Sequence, residues 1–170
     1  MTSQKEYFDL IILGAGITGL SIARQQLLSN SDAKVLILEK EKAVGLHASG
    51  RNSGVLHSGI YYPSETLKAK FCSEGARLMT DYCLENALPI NKCGKVIVPI
   101  NEKDDIQIDL LHKRSKSNGA TTSIISESEL KKIEPEAYSI SSRALYSPNT
   151  SVVDPGAVLS KLILDLIRFW

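Results

Sequence analysis

Cysteine is scarce in this 170-residue chain, and its spacing excludes two roles. Cys72, Cys83 and Cys93 are odd in number and no two stand at metal-ligand spacing, so neither a disulfide framework nor a zinc site is implied. Reduced, mostly buried thiols are expected. Histidine is as scarce: His47, His57 and His112 are too dispersed to announce a metal cluster. No charge of one sign dominates. Twenty basic residues face 19 acidic ones without a long single-sign block, which argues against nucleic acid and against a polybasic membrane anchor. Long hydrophobic runs are also missing, and none approaches the ~18 residues of a membrane span. There are no internal repeats and no low-complexity tracts. The opening MTSQKEYFDL runs into an apolar segment at once, leaving no room for a signal or transit peptide. A cytoplasmic protein is expected, with room for peripheral contact at the inner membrane. Hydrophobic residues make up 43%, enough for a packed core, and the length suits one domain or one and part of a second.

What is present is concentrated near the start. Leu10-Ile11-Ile12-Leu13 reads as a strand buried on both faces. Gly14, Gly16 and Gly19 follow in GxGxxG spacing, with Ala15, Ile17 and Thr18 between them, and a helix is predicted from about Ile17 to Leu28. In that pattern the first glycine makes the tight turn, the second lets a pyrophosphate approach the backbone, and the third lets helix and strand pack. The N–H groups of the helix's first turn face the phosphates. Leu20, Ala23, Leu27 and Leu28 form the helix's apolar stripe. A second strand, Val35–Leu38, ends at Glu39, 20 residues beyond Gly19, where the fingerprint places a carboxylate for ribose hydroxyls. Such an acid repels a 2′-phosphate, so NADP fits poorly, whereas NAD and the adenosine half of FAD both fit.

The pattern then dissolves into KEKAVGLHASGRNSG, from Lys40 to Gly54. Ser49, Gly50, Arg51, Asn52, Ser53 and Gly54 suit a loop that wraps a long ligand: backbone N–H groups and short hydroxyls approach closely, and Arg51 brings a fixed positive charge. Val55 to Tyr62 is predicted as a strand ended by Pro63, and Ser64 as the cap of a helix with Leu67, Phe71, Gly75, Leu78 and Tyr82 on one face. Ile90–Pro99 reads as a strand. Asn101 caps a helix closed by Gly119, Ser126 with Glu129 makes a capping box, and Arg143–Ser147 and Ser151–Val153 read as short strands. Asp154 and Pro155 open a last helix whose stripe is Val158, Leu159, Leu162, Ile163, Leu166 and Ile167.

The segment HASGRNSGVLHSGIYYPSETLKAKFC, His47–Cys72, with CGKVIV at Cys93–Val98, IEPEA and LYSPNTSVVDPGAV, resembles the FAD-dependent L-2-hydroxyglutarate dehydrogenase/oxidase family. That family belongs to the D-amino-acid-oxidase-like FAD oxidoreductases. Two positions depart from it: Arg51 stands where several members carry His, and Ser151 where Gly is usual.

The resemblance implies FAD rather than NAD. Gly14–Gly19 would hold the pyrophosphate, and Glu39 with Lys40 the adenosine ribose region. Ser49–Gly54 would run beside the pyrophosphate and ribityl chain, and His57 would approach the flavin ring. The fold implied is α/β: a Rossmann-like FAD-binding β-α-β part over 1–87, the start of an α+β substrate domain over 88–150, and a strand and helix returning over 151–170. Members are longer, so an incomplete fold is expected, with a separate C-terminal half as a candidate partner. The implied reaction is oxidation of a 2-hydroxy acid to a 2-oxo acid, with oxygen or a quinone as electron acceptor. His57 is the candidate base, against a plainer role in packing on the flavin. The alternatives are a relative acting on an amine, an amino acid or glycerol 3-phosphate, and a non-catalytic nucleotide-binding fragment.

Overall fold

The computed structural model describes residues 6–169. The opening MTSQK, part of the stretch read as too short for a leader, and Trp170, the expected end of the last helix, lie outside them. The chain divides into two compact units. One runs to Gly54 and resumes at Asp154; the other is Val55–Val153.

The first unit is built on strand β1 (Leu10–Leu13), helix α1 (Ile17–Ser29) and strand β2 (Val35–Leu38). The strands are parallel, in register from Leu10 opposite Val35 to Leu13 opposite Leu38. Strand side chains alternate between faces. Ile12 is buried, but Ile11 and Leu13 are 55% and 82% exposed, so β1 is not covered on both faces as its unbroken apolar run suggests. Gly19, Leu20, Ala23 and Leu27 form the buried stripe of α1, while Leu28 points outward.

Within the same unit, α1 packs on the last helix, α5 (Pro155–Ile167). Asp154 caps α5 by accepting from Gly156 N at 2.8 Å and Ala157 N at 3.1 Å, with Pro155 in the first turn. Val158, Leu159, Leu162 and Leu166 are buried as the stripe predicts, but Ile167 is exposed. Asp165 takes a place inside instead, because its carboxylate is matched by Arg24 Nε at 2.9 Å and by Lys161. A buried acid is tolerated when paired in this way, and hydrophobic periodicity has no signal for it.

The second unit contains β3 (Val55–Leu56), α2 (Leu67–Glu85), β4 (Ile90–Asn91), β5 (Lys95–Ile97), α3 (Glu102–Ser117), β6 (Ser123–Ser126), α4 (Glu127–Ile133), β7 (Arg143–Ser147) and β8 (Ser151–Val153). They make two antiparallel sheets, ordered β3-β8-β4 and β5-β7-β6. Strand β7 is covered on both faces. Leu145 packs with Ile60 and Ile108 on one side, and Ala144 with Ile125 and Leu130 on the other. Arg143, at the start of β7, clamps α3 by bonding Asp105 at 2.7 and 3.0 Å and Asp109 at 3.0 and 3.1 Å.

Several predicted elements are altered here. The strand expected over Val55–Tyr62 stops at Leu56, and the chain turns at Gly59, whose φ is +84°. Thr66, not Ser64, caps α2 by accepting from Ala69 N. The apolar face of α2 is open: Leu67, Phe71 and Leu78 are all more than half exposed, while Ala69 and Cys83 are buried. The run Ile90–Pro99 breaks at Gly94, φ +70°, into β4 and β5, which join different sheets. Strand β6 has no counterpart in the sequence reading. Among the described residues, no helix is long and apolar enough to cross a membrane.

Candidate functional site

The glycine turn in the first unit has the shape that its spacing demands. Gly14 sits at φ +105°, a conformation that side chains resist. A Cβ on Gly19 would meet the Gly14 carbonyl oxygen at 2.1 Å, so only glycine lets α1 start this close to the turn. A Cβ on Gly16 would stand 2.9 Å from Ser49 Oγ. The first turn of α1 offers its N–H groups outward, as helix starts do. Ile17 N donates to Ser49 Oγ at 3.0 Å, and the N–H groups of Thr18 and Gly19 have no acceptor among the described residues. Two N–H groups of the turn are thus open to an anion, with Ser49 Oγ on the third.

Glu39 follows β2 and reaches back to that glycine turn. Its Oε2 accepts from Ala15 N at 2.7 Å and its Oε1 from Glu41 N at 3.0 Å. The Glu41 and Ala15 N–H groups, in that order, hold its carboxyl below the usual carboxylate range. A carboxylate has about four lone-pair sites, so acceptor capacity remains for ribose hydroxyls. A cavity of about 590 Å³ opens here, lined by Leu13, Gly14, Leu38, Glu39, Lys40 and His47. It lies at the carboxyl ends of two parallel strands, the usual place for a ligand in such a sheet. Lys40 is exposed, 3.9 Å from Glu41, and His47 Nε2 is 2.8 Å from Glu41 Oε1.

The loop after Glu39 is fixed by its own residues. Asn52 donates through Nδ2 to the carbonyls of Ala48 and Ser49 and accepts from Gly54 N through Oδ1. Its amide therefore staples the loop. Gly50 fits against the Gly45 carbonyl, where a Cβ would come within 2.3 Å, and Gly54 lies at φ +68°. Arg51 and Ser53 are exposed. The structure thus gathers Gly14, Ala15, Gly16, Ile17, Glu39, Lys40 and Ser49 into one place. The Glu39–Ala15 and Ser49–Ile17 bonds were not foreseen, because no spacing rule signals them. Leu159 of α5, which would stand 2.4 Å from a Cβ on Gly45, was missed for the same reason.

His57 lies in the second unit, just beyond β3. Its carbonyl accepts from Cys72 Sγ at 3.0 Å. Partial burial and then the Lys95 charge push the imidazole below its ordinary range. That unit also carries a cavity of about 700 Å³ beside α2, with Ser58, Lys70, Arg77, Lys92 and Asn118 among its walls.

The family of FAD dependent oxidoreductases, DAO, matches residues 9–168. This chain belongs to that family. FAD is the family's cofactor, and the cleared glycine turn with its unpaired N–H groups fits a dinucleotide's pyrophosphate. The chain is 41% identical over 150 residues to the mitochondrial L-2-hydroxyglutarate dehydrogenase of Nematostella vectensis, covering 88% of this chain and 32% of the relative. The human protein of that name is 39% identical over 148 residues, with 86% and 32% covered. The chain therefore spans about a third of the length of these relatives. Among solved structures, L-α-glycerophosphate oxidase from Mycoplasma pneumoniae, with FAD bound, superposes at a TM-score of 0.87 with 27% identity, over 97% of this chain and 44% of that one. The L-proline dehydrogenase of P. horikoshii shares the fold at a TM-score of 0.83 and 17% identity.

Proposed function

We propose that this chain is the FAD-binding part of an oxidoreductase that converts a 2-hydroxy acid of the L-2-hydroxyglutarate type into its 2-oxo acid. The observation that carries the reading is the joining of Glu39 to the glycine turn through Ala15 N. That bond would hold the ribose and pyrophosphate positions at a fixed separation, as an adenosine diphosphate moiety requires. The N–H groups of Thr18 and Gly19 would meet the pyrophosphate, and Glu39 the adenosine ribose. The loop Ser49–Gly54 would follow the chain towards the flavin, with Arg51 supplying positive charge.

The flavin, when bound, supplies the acceptor for the hydride that leaves the hydroxyl-bearing carbon. The protein's part is to hold the substrate and take the hydroxyl proton. His57 is the candidate for that proton, and the downward shift of its imidazole favours the neutral form that a base needs. Oxygen or a quinone is the proposed final electron acceptor, and a cytoplasmic location with peripheral membrane contact suits either.

A second reading has one observation behind it, the TM-score of 0.87 to a glycerophosphate oxidase. A substrate panel separates the two. The full reading frame that contains this chain, purified yellow with bound FAD, is assayed with an artificial electron acceptor. L-2-Hydroxyglutarate is expected to be oxidised with a higher kcat/KM than glycerol 3-phosphate or any amino acid. Preference for glycerol 3-phosphate would overturn the proposal.

A further inference from the structure

The cavity of the second unit, about 700 Å³, has a size that suits a small-molecule ligand. All its walls lie within Val55–Val153, and none is a residue assigned above to FAD or to the substrate's hydroxyl proton. Helix α2 contributes Lys70, Glu74, Arg77 and Asp81, spaced three or four residues apart and so on one side of the helix. Lys92, one residue past β4, adds a further cation. Arg77 and Asp81 satisfy each other at 2.9 Å, whereas Lys70 and Lys92 form no ion pair among the described residues.

Unpaired surface lysines are common and by themselves select nothing. What sets this cavity apart is buried polarity. Ser151, the first residue of β8, lines it and is 3% exposed. Its backbone is held opposite Leu56 of β3, yet its hydroxyl has no hydrogen-bond partner among the described residues. Other hydroxyls of this region are satisfied: Ser147 Oγ lies 3.2 Å from both Ser58 Oγ and Thr150 Oγ1. Asn118, also in the wall, is the second case. Its Nδ2 donates to the carbonyls of Gly59 at 2.6 Å and Tyr62 at 2.9 Å, but its Oδ1 is buried without a donor among the described residues. Folded proteins leave few such groups, because each gives up its bonds to water and gains none in return. Two of them in the walls of one cavity with unpaired lysines point to a polar, anionic occupant.

We propose that this cavity binds a sugar phosphate. Lysine binds phosphate as a point charge. A phosphate monoester carries close to two negative charges at neutral pH, matching the two unpaired lysines, where a carboxylate carries one. The Ser151 hydroxyl adds a donor. The Glu74 carboxylate and Asn118 Oδ1 can only accept, so they call for hydroxyl groups on the same molecule. The site does not depend on which substrate the enzyme oxidises.

The test uses the full reading frame with FAD bound, as wild type, Lys70→Met, Lys92→Met and Ser151→Ala. Each is titrated with glucose 6-phosphate, gluconate and glucose, and binding is followed by NMR. Both lysines are exposed, so their replacement leaves the core intact, and flavin content equal to wild type marks a folded variant. Glucose 6-phosphate is expected to bind more tightly than gluconate or glucose. Each lysine variant should weaken it by about ten- to a hundredfold, as loss of a charge-assisted bond does. Ser151→Ala should weaken it by about three- to tenfold, as loss of a neutral bond does. Without ligand, Ser151→Ala should keep the melting temperature, since it removes a hydroxyl that bonds nothing in the fold. No binding of glucose 6-phosphate at millimolar concentration, or binding that Lys92→Met and Ser151→Ala leave unchanged, would overturn the inference. So would a ligand-free Ser151→Ala protein that melts several degrees lower, because the hydroxyl would then have its partner within the longer protein.

Discussion

At the residue scale, two positions of the proposed nucleotide site fail differently when changed. Gly19→Ala places a methyl 2.1 Å from a backbone carbonyl that cannot move without shifting the turn. Overpacking of this kind costs about 1–3 kcal/mol, so the variant should melt several degrees lower and retain little flavin. Glu39→Ala removes the proposed ribose acceptor together with its bond from Ala15 N, so it too should lose some stability. FAD binding should weaken by about ten- to a hundredfold, measured by flavin fluorescence on refilling the apoprotein at a temperature where the variant is folded. If both variants lose affinity only in step with stability, Glu39 is not at the ribose. These positions were legible in the sequence because glycine spacing and a strand-ending acid have fixed backbone meanings. The Ser49–Ile17 and Glu39–Ala15 bonds were not, because they join residues 32 and 24 apart and depend on where side chains turn.

At the scale of elements, local chemistry was readable and tertiary coverage was not. Asn101 marks a helix start through its bond from Asp104, Ser126 through Glu129, and Asp154 through Gly156 and Ala157 with Pro155 in the first turn, and all three hold. Strand ends set by a left-handed glycine, Gly59 and Gly94, were read through as continuous strands. Helix α2 shows the other limit: its stripe of Leu67, Phe71 and Leu78 has the period of a buried face, but periodicity does not say what covers it. In this chain Phe71→Ser should leave the melting temperature almost unchanged. Leu130→Ala, in the cluster with Ile125 and Ala144, should cost about 2–5 kcal/mol. Chemical denaturation of both variants checks the contrast. Helix α3 and the loop before β6 carry a pH dependence. His112 Nδ1 is 2.8 Å from Thr122 Oγ1, and burial first, then Lys116, hold the imidazole below its ordinary 6.5, with Asp109 opposing. The unfolded chain then binds a proton that the folded one resists. Stability should be flat above 6.5 and fall as pH drops from there towards the depressed value. His57 acts in the same sense. Melting scans between pH 7 and 5.5 should show the fall, and His112→Gln should flatten part of it.

At the scale of the whole molecule, the first unit is discontinuous in sequence. Helix α5 packs on α1, with Asp165 paired to Arg24, yet it comes after the entire second unit. A chain ending at Val153 should keep the protected amides of β5, β6 and β7 and lose protection in α1, as read by hydrogen exchange. Equal protection of α1 with and without α5 would show that the β1-α1-β2 unit stands alone.

The same arrangement sets an order in time. A ribosome makes the nucleotide turn first but must add about a hundred residues before α5 emerges. At about 5–20 residues per second that is a wait of roughly 5–20 s. During it, the side of α1 that packs on α5 has no helix to meet, while Val55–Val153 already has all its strands. The nucleotide turn is thus made before the second unit and completed after it, and for those seconds α1 is the part of the nascent chain that a chaperone would recognise.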